Sequence, residues 1–387
     1  MKVVIIAAVD PILAYLRAQQ SEMVKVTRRF VECESPTDDA AAVNRFADLV
    51  SDSFGNLASF RKAAGGVYGS HLFGELSLPG RRKQRRVLVL GHLDTVWPSG
   101  TLRAMPFRNE SGRLWGPGVL DMKGGIVLLL FAARALRELG TPVGSRVWLQ
   151  LNADEEVGSP SSRPLTEKNA AGAKAVLVLE PGTGLKGKLK TARKGVGNFE
   201  VKVQGKAAHA GLDFEAGASA IRELARQITR IFTFSDLRRG ITVNAGVISG
   251  GTRPNVVAAE ARAEVDIRVK RVEDARALEK KFRTLEPYDA RCSLEIRGGL
   301  NRPPMERSSG AADLFRLAKG LAQELGVELE ESLSGGGSDG NFTAALGVPT
   351  LDGLGAVGEG AHALHESILI DRMADRAALL AKLLAAA

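Results

Sequence analysis

Apolar residues recur along this chain with two different periods. Residues 11–32 place them at helical spacing, and the long apolar segment that begins near Asp121, "DMKGGIVLLLFAARALREL", is also expected to be a helix. Three shorter runs, "RRVLVLGHLD", "SRVWLQLNADEE" and "AKAVLVLEPG", are almost continuously apolar, which is typical of strands buried on both faces. Because these strands alternate with helices, the sequence predicts an α/β fold with a largely parallel sheet between two layers of helices.

The pattern changes near residue 190. Polar and apolar residues alternate in "NFEVKVQGKAAHAG" and in later segments, which is typical of strands with one exposed face. These strands and two amphipathic stretches predict an α+β domain of about four antiparallel strands and two helices at 190–298. The first pattern then returns. We therefore expect a discontinuous three-layer α/β/α domain, 1–189 and 299–387, interrupted by this insertion.

The composition limits the class of partner. Hydrophobic residues make up 44% and charged residues 25% of the 387 residues, as in an ordinary globular protein. The net charge is +9, but the densest basic cluster, 81–86, stands in a turn, and no nucleic-acid-binding motif accompanies it. No apolar run approaches the ~18–20 residues needed to cross a bilayer. We expect neither a nucleic-acid partner nor a membrane partner.

Two features bear on the cellular location. The short apolar run at the N-terminus is interrupted by Asp10 and no cleavage-like segment follows it. We interpret this run as the start of the protein and not as a signal peptide. The two cysteines, Cys33 and Cys292, are far apart and have no CxxC partner, which suits a reducing compartment. A cytoplasmic protein is therefore expected.

Acidic and histidine side chains stand where the predicted buried strands end. Ligands of open α/β sheets bind at the carboxyl ends of the strands, so these side chains are expected to converge. Histidine and carboxylate ligands without thiolates suit zinc, with cobalt or manganese as substitutes. There are more candidate ligands than one metal ion requires. Two ions ~3.5–4 Å apart that share a carboxylate would account for this number. The converging residues are His92, Asp94, Asp121, Asp154, Glu155, Glu156, Glu180 and His365.

A set of short motifs resembles one known family in order and spacing. The motifs are "GHLDTV", "GPGVLDMKGG", "ADEEVGS", "LEPG", "AAHAG", "GGGSDGN" and "HALHE". They are similar to those of the two-zinc exopeptidases and amidohydrolases, a family that includes glutamate carboxypeptidases of the carboxypeptidase G type, aminoacylases and related deacylases. The resemblance covers about residues 12–385. It implies a zinc catalytic domain with an inserted lid and dimerisation domain.

The resemblance implies a role for each residue of the predicted site. Glu155 would be the general base, and Asp94 would orient the ring of the first histidine ligand. A cis peptide bond is expected between Asp121 and Met122. His71 and His362 have no role in this scheme, and His362 is expected beside the ligands or in a structural position. The expected zinc ligands are His92 and Glu180 for one ion, Glu156 and His365 for the other, and Asp121 as the bridge between them.

The resemblance also implies residues outside the metal site. His209 in the insertion would donate a hydrogen bond to the oxyanion across a dimer interface, so a homodimer is expected. Arg253 and Asn244 would contact the carboxylate end of the substrate, and arginine suits bidentate carboxylate recognition. Gly336 and Gly337 belong to "SGGGSDGN", which can present backbone N–H groups to an anion and lacks the GK[ST] of a nucleotide-binding loop.

The predicted function is zinc-dependent hydrolysis of an amide or peptide bond next to a free carboxylate. The motifs are most similar to those of the glutamate carboxypeptidases. An N-acyl-amino-acid deacylase, of aminoacylase, acetylornithine or succinyl-diaminopimelate type, would use the same metal site and is the main alternative. A non-catalytic binding protein on the same fold is a third interpretation, and the presence of all the expected ligands and of Glu155 argues against it.

Overall fold

The computed structural model describes residues 9–81 and 85–387. The apolar N-terminal run that we interpreted as the start of the protein, and residues 82–84 of the basic cluster, lie outside the described residues. The chain forms two compact units. The first comprises the residues up to Ala192 with Arg307–Ser334 and Ser338–Ala387, and the second comprises Arg193–Glu306 and Gly335–Gly337.

The N-terminal part of the first unit combines helices and strands. In chain order the elements are α1 (Pro11–Ala18), α2 (Gln20–Glu32), α3 (Ala40–Phe54), β1 (Ala58–Ala64), β2 (Ser70–Leu76), β3 (Arg86–His92), β4 (Arg108–Glu110), β5 (Arg113–Trp115), α4 (Gly124–Glu138), β6 (Arg146–Asn152), α5 (Arg163–Ala170), β7 (Ala173–Val178) and β8 (Leu189–Arg193). The segment 11–32, predicted as one helix, is two helices that meet at Gln19.

The second unit and the return to the first unit follow. The second unit contains β9 (Gly195–Gln204), α6 (Ala220–Phe232), β10 (Thr242–Gly250), β11 (Glu260–Val269), α7 (Val272–Arg283) and β12 (Ser293–Arg302). The first unit continues with α8 (Ser309–Glu324), β13 (Glu331–Ser334), α9 (Gly340–Ala345), β14 (Thr350–Leu351), β15 (Gly358–Glu359), β16 (Ser367–Leu369) and α10 (Asp371–Ala386). The second unit extends beyond the insertion predicted at 190–298, because β12 continues to Arg302.

The main sheet of the first unit has the strand order β1-β2-β6-β3-β7-β14. β3 is parallel to both β6 and β7, and β14 is parallel to β7, as expected for the α/β fold. An antiparallel hairpin, β1 and β2, extends the sheet at the β6 edge. This hairpin was not predicted, because none of the residues of β1 is buried and its sequence, ASFRKAA, shows no run of large apolar side chains.

The central strand β3 is buried on both faces, which explains its continuous apolar sequence. Val87 and Val89 face a core that includes α1, α2, α4 and α10, whereas Leu88 and Leu90 face a smaller core with α5. All four side chains are fully buried. This alternation places a layer of helices on each face of the sheet. The predicted three-layer α/β/α fold class is confirmed.

The second unit is an antiparallel sheet with two helices. Its strand order is β10-β11-β9-β12, and α6 and α7 contribute to one hydrophobic core with the sheet. The ring of Phe199 on β9 stacks on that of Phe282 on α7 with centroids 4.0 Å apart. Buried and more exposed residues alternate along β9 and β11, so one face of the sheet carries the core. These are the α+β features expected of the insertion.

In the described part of the chain, no helix combines the length and the apolar character that a membrane span requires.

Candidate metal centre and active site

His92 is the last residue of β3 and lies at the carboxyl end of the main sheet. It is 2% exposed. Its Nδ1 lies 2.9 Å from the backbone carbonyl oxygen of Asp94. Because a carbonyl can only accept, Nδ1 carries the hydrogen, and Nε2 is then the ring nitrogen available to a metal ion.

Asp94 lies beside the His92 ring and also holds the neighbouring backbone. Its carboxylate lies 3.4 Å from Nδ1 of His92, farther than its own backbone carbonyl, so the carbonyl makes the shorter contact with the ring. The carboxylate accepts hydrogen bonds from the Thr37 hydroxyl at 2.8 Å and from the backbone N–H groups of Glu155 and Glu156 at 3.2 Å each. Asp94 therefore connects the end of β3 with the segment that follows β6.

Glu180 lies two residues beyond β7, at the same edge of the sheet. Its backbone carbonyl accepts a hydrogen bond from the Gly355 N–H at 2.9 Å. The Gly355 carbonyl in turn accepts from the Arg376 guanidinium at 3.0 Å, and Arg376 is 2% exposed. A buried arginine on α10 thus helps to fix the backbone that carries this carboxylate.

The two carboxylate oxygens of Asp121 face two different groups of side chains. Oδ1 lies 3.2 Å from Nε2 of His92, and the same nitrogen is 3.6 Å from Oε1 of Glu180. Oδ2 lies 3.4 Å from Nε2 of His362, and that nitrogen is 3.3 Å from Oε2 of Glu156. In each group of three residues the potential ligand atoms are within 4.8 Å of one another. The peptide bond between Asp121 and Met122 is cis, as the resemblance implied.

The structure replaces His365 with His362 as the histidine of the second group. The chain from Ala363 to Glu366 forms a turn in which the Glu366 N–H donates to the Ala363 carbonyl at 2.9 Å. Glu366 is buried by this turn, whereas His365 is exposed. His362 has a positive φ of 62°, which directs the chain into the turn with its own ring beside Asp121 and Glu156. His362 thus lies beside the candidate ligands, one of the two positions expected for it, whereas His365, the expected ligand, belongs to neither group of the described residues. His362 therefore takes the place of His365 as the proposed ligand.

Charges within the cluster shift the pKa values of its members. Hydrogen bonds to Asp121 and Glu156 raise the pKa of His362 to about 10. Burial alone would lower the pKa of His92, but hydrogen bonds to Asp121 and Asp94 raise it well above the usual value. Burial also opposes ionisation of Asp121, yet hydrogen bonds from the two histidines hold its pKa below the usual range. Metal ligation requires neutral imidazole, so a divalent cation would have to displace protons from this cluster.

The residues of both groups fit a pair of metal ions. Oε1 of Glu156 is buried and accepts no hydrogen bond within the described residues, while burial raises the pKa of this carboxyl. A buried carboxylate oxygen without a donor is costly unless a cation neutralises it. The two groups offer histidine nitrogen and carboxylate oxygen and no thiolate, which suits zinc. Asp121, with one oxygen near each histidine, is the residue that the two groups would share.

Three of the predicted substrate-contacting residues are exposed on the second unit. His209 lies in the loop after β9, and its Nδ1 accepts hydrogen bonds from the backbone N–H groups of Gly211 and Leu212 at 3.1 Å each. Nε2 of the neutral ring therefore carries the hydrogen and can donate it. Asn244 is exposed on β10, and Arg253 is exposed in the loop between β10 and β11.

The glycine-rich segment is held through its carbonyl groups. The carbonyl oxygens of Gly336 and Gly337 each accept a hydrogen bond from Nη1 of Arg193 at 3.0 Å. Arg193 is 3% exposed, so these carbonyls are engaged with a buried cation. Arg193 was not predicted as a functional residue, because no feature of the neighbouring sequence distinguishes it from a surface arginine.

Comparison with known proteins identifies the family. The model of peptidase family M20/M25/M40 matches residues 88–386. The chain belongs to this family. Carboxypeptidase G2 of Pseudomonas sp. (strain RS-16) is 30% identical over 352 residues, which cover 89% of this chain and 84% of that protein. The acetylornithine deacetylase of Myxococcus xanthus is 33% identical over 192 residues, 46% of this chain and 48% of that protein.

A solved structure supports the fold of this M20 chain. Aminopeptidase PepT from Bacillus cereus ATCC 10987 superimposes with a TM-score of 0.78 at 23% sequence identity, covering 94% of this chain and 98% of that one. The family assigns the chain to the metallopeptidases and amidohydrolases, and the sequence relatives include both a carboxypeptidase and a deacylase. The family resemblance inferred from the motifs is confirmed.

The two histidines of "HALH" provide a matched pair for testing the metal cluster. Replacing His362 by alanine should weaken binding of one of two metal ions by more than ~100-fold, beyond the ~10–100-fold typical of residues that only support a ligand. The alanine variant of His365 should bind metal like the parent, because among the described residues this side chain belongs to neither group of potential ligand atoms. Metal stoichiometry and affinity can be measured by calorimetry on apoprotein. Loss of an ion in the His365 variant, with normal binding in the His362 variant, would reverse the correction.

Proposed function

We propose that this M20 protein is a two-zinc hydrolase that cleaves an amide or peptide bond next to a free carboxylate, with a preference of the glutamate carboxypeptidase type. The observation that carries the proposal is the position of Asp121, with one oxygen facing His92 and the other facing His362. A shared carboxylate between two groups of ligands is the arrangement that a two-metal hydrolase needs. Cobalt or manganese could replace zinc in such a site.

The proposed catalytic group is Glu155. Bound zinc ions would lower the pKa of water and polarise the substrate carbonyl. Glu155 is half-buried, and its backbone N–H is held by Asp94 beside the ligand Glu156. Glu155 accepts the proton of the attacking water and returns it to the leaving amine, so one carboxylate acts first as base and then as acid. No covalent intermediate with the protein is needed.

Substrate selection is proposed to depend on the carboxylate of the substrate. Arg253 and Asn244 are the proposed contacts, together with the backbone of Gly336 and Gly337, whose carbonyls Arg193 engages. An exposed arginine can hold a carboxylate with two hydrogen bonds. The similarity to carboxypeptidase G2 over most of both chains favours a peptidase. The similarity to acetylornithine deacetylase, over about half of each chain, keeps the N-acyl-amino-acid deacylase as the second candidate.

A homodimer is proposed in which His209 acts on the substrate held by the partner subunit. The Nε2–H of His209 can donate to a developing oxyanion. β10 is an edge strand of its sheet and exposes Val247 at 55% and Ile248 at 60%. Exposed apolar side chains on an unpaired edge favour pairing with another chain. We also propose a cytoplasmic location, since both cysteines are free thiols.

The substrate class can be tested by amino-acid release from a two-way panel. Substrates would vary the C-terminal residue (Glu, Asp, Ala, Arg, ornithine) against acetyl, benzoyl and aminoacyl groups. We expect release that depends on zinc, is abolished by chelation and restored by added zinc, and is governed by a C-terminal Glu. Release governed by the acyl group would instead identify a deacylase. No release from any substrate by the zinc-loaded protein would contradict the hydrolase and support a binding protein.

The role of Glu155 predicts a separation of catalysis from metal binding. Replacement by glutamine keeps the shape but removes the base, so kcat should fall by ~10²–10⁴-fold. Metal content should stay at that of the parent, because Glu155 is not one of the clustered ligands. Steady-state kinetics and metal analysis on the same preparation test this. Glu167 on α5, replaced in the same way, is a surface control. Turnover that survives in the Glu155 variant would refute the assignment.

Action of His209 across the dimer predicts complementation between two inactive variants. A heterodimer of the His209→Ala and Glu155→Gln chains has one site with both groups intact if His209 acts on the partner's substrate. Random mixing should then restore about a quarter of the parent activity per subunit. Differently tagged chains allow the heterodimer to be purified before assay. Purified heterodimers without activity would show that His209 does not act in this way.

A further inference from the structure

Glu366 is a buried carboxylate that the proposed reaction does not use. It is fully buried, and each of its oxygens accepts two hydrogen bonds. Oε1 accepts from the backbone N–H groups of Leu120 at 2.8 Å and Asp121 at 3.0 Å. Oε2 accepts from the Gly118 N–H at 3.0 Å and from the indole N–H of Trp97 at 2.7 Å. All four donors are N–H groups, so the carboxylate is saturated with donors.

Three of these donors belong to the irregular segment that ends at Asp121. Gly118 has a positive φ of 71°, and the backbone angles of Asp121 (φ −116°, ψ 93°) are not helical. N–H groups in such a segment cannot join a regular helix or sheet ladder and need other acceptors. Glu366 supplies the acceptor for the N–H of Asp121 itself and for that of the preceding residue.

The position of Glu366 is itself fixed by a sheet. Glu366 directly precedes β16, which pairs antiparallel with β5 in the register Ser367 to Trp115. The backbone carbonyl of Glu366 also accepts from the Gly116 N–H at 3.3 Å. β16, which follows Glu366, and β5, which leads into the 118–121 segment, are therefore paired with each other. This pairing fixes the position of the Glu366 carboxylate relative to the segment.

We propose that Glu366 is a positioning residue that sets the orientation of Asp121, so that the two oxygens of the Asp121 carboxylate face the two ligand groups. The inference rests on the proposed two-metal function. Glu366 acts through the backbone, since it is not among the clustered ligands of the described residues. Hydrogen bonds from N–H groups to a carboxylate are short and strong, which suits them to hold a backbone that has no ladder of its own.

A glutamine at this position separates positioning from packing. It has nearly the same shape as glutamate, but its NH₂ group can only donate. In either orientation of the amide, the NH₂ group would face two N–H donors, so two of the four hydrogen bonds are lost and replaced by repulsive contacts. The matched control is Glu359→Gln, seven residues earlier, where the side chain is 46% exposed and pairs with Arg113 on the surface.

The experiment measures metal binding, which does not depend on knowing the substrate. Apoprotein of the parent, Glu366→Gln and Glu359→Gln is titrated with Zn²⁺ against a competing chelator, and the visible spectrum of the Co²⁺-loaded protein is recorded. We expect Glu366→Gln to weaken metal binding by ~10–100-fold and to change the Co²⁺ spectrum, because the shared carboxylate is misplaced. Glu359→Gln should remain within twofold of the parent. A purely structural role would lower the melting temperature but leave both metal readouts unchanged.

A second pair of variants covers the case in which Glu366→Gln does not fold. Trp97→Phe removes one of the four donors and leaves both hydrogen bonds to Oε1 in place, so a smaller loss of metal affinity, ~2–10-fold, is expected. Its control is Trp115→Phe, since the indole nitrogen of Trp115 is buried without an acceptor in the described chain. Equal affinities in Trp97→Phe and Trp115→Phe would overturn the inference.

The outcomes distinguish this inference from the proposed function. If the parent binds two ions and Glu366→Gln binds them with the same affinity and spectrum, the positioning role is wrong and the two-metal function stands. If the parent binds no divalent ion, the proposed function fails and this inference fails with it. If metal binding is weakened in Glu366→Gln, weakened less in Trp97→Phe and unchanged in the two control variants, both the positioning role and the two-metal function are supported.

Discussion

The main physical constraint on this structure is that several carboxylates lie close together and largely away from water, and the free-energy cost of this arrangement must be offset. Asp121, Glu156 and Glu180 lie at the carboxyl edge of the main sheet, within two groups whose ligand atoms are at most 4.8 Å apart. Like charges at such distances repel strongly in a medium of low dielectric constant, and cations or protonated histidines must offset the repulsion. The cluster therefore selects its occupant by charge, and the surrounding fold keeps the carboxylates from separating.

Two buried carboxylates, which lie outside both ligand groups of the described chain, hold the backbone on either side of this cluster. Asp94 accepts the N–H groups of Glu155 and Glu156, and Glu366 accepts that of Asp121. Ligand-bearing turns at strand ends leave the regular hydrogen-bond ladder, so their N–H groups require other acceptors. The candidate ligands of both groups belong to the first unit, whereas the proposed substrate contacts from His209, Asn244 and Arg253 belong to the second.

Much of the fold follows from the period of the apolar residues. β3 reads as a continuous apolar run because both of its faces meet helices, and β9 and β11 alternate because one face carries the core. These are local consequences of strand geometry. The hairpin of β1 and β2 has no such signal, since β1 is the edge strand of the described sheet and lies next to β2. Its place in the sheet depends on pairing with a partner, which a local pattern does not encode.

The candidate site, like the fold, depends partly on local sequence and partly on tertiary contacts. The sequence alone predicts His92, Glu156 and Glu180 at one edge of the sheet, because each stands at or just beyond the carboxyl end of a buried strand, and it places Asp121 at the turn into α4. Within "HALH" the sequence analysis chose His365 as the ligand, whereas the tertiary structure places His362 beside Asp121 and Glu156. The position of the His362 ring beside Asp121 and Glu156 goes with a turn that buries Glu366, whose carboxylate accepts from backbone N–H groups more than 240 residues away in sequence. Such contacts are absent from any local pattern, because they form only when β16 pairs with β5 and brings the two segments together.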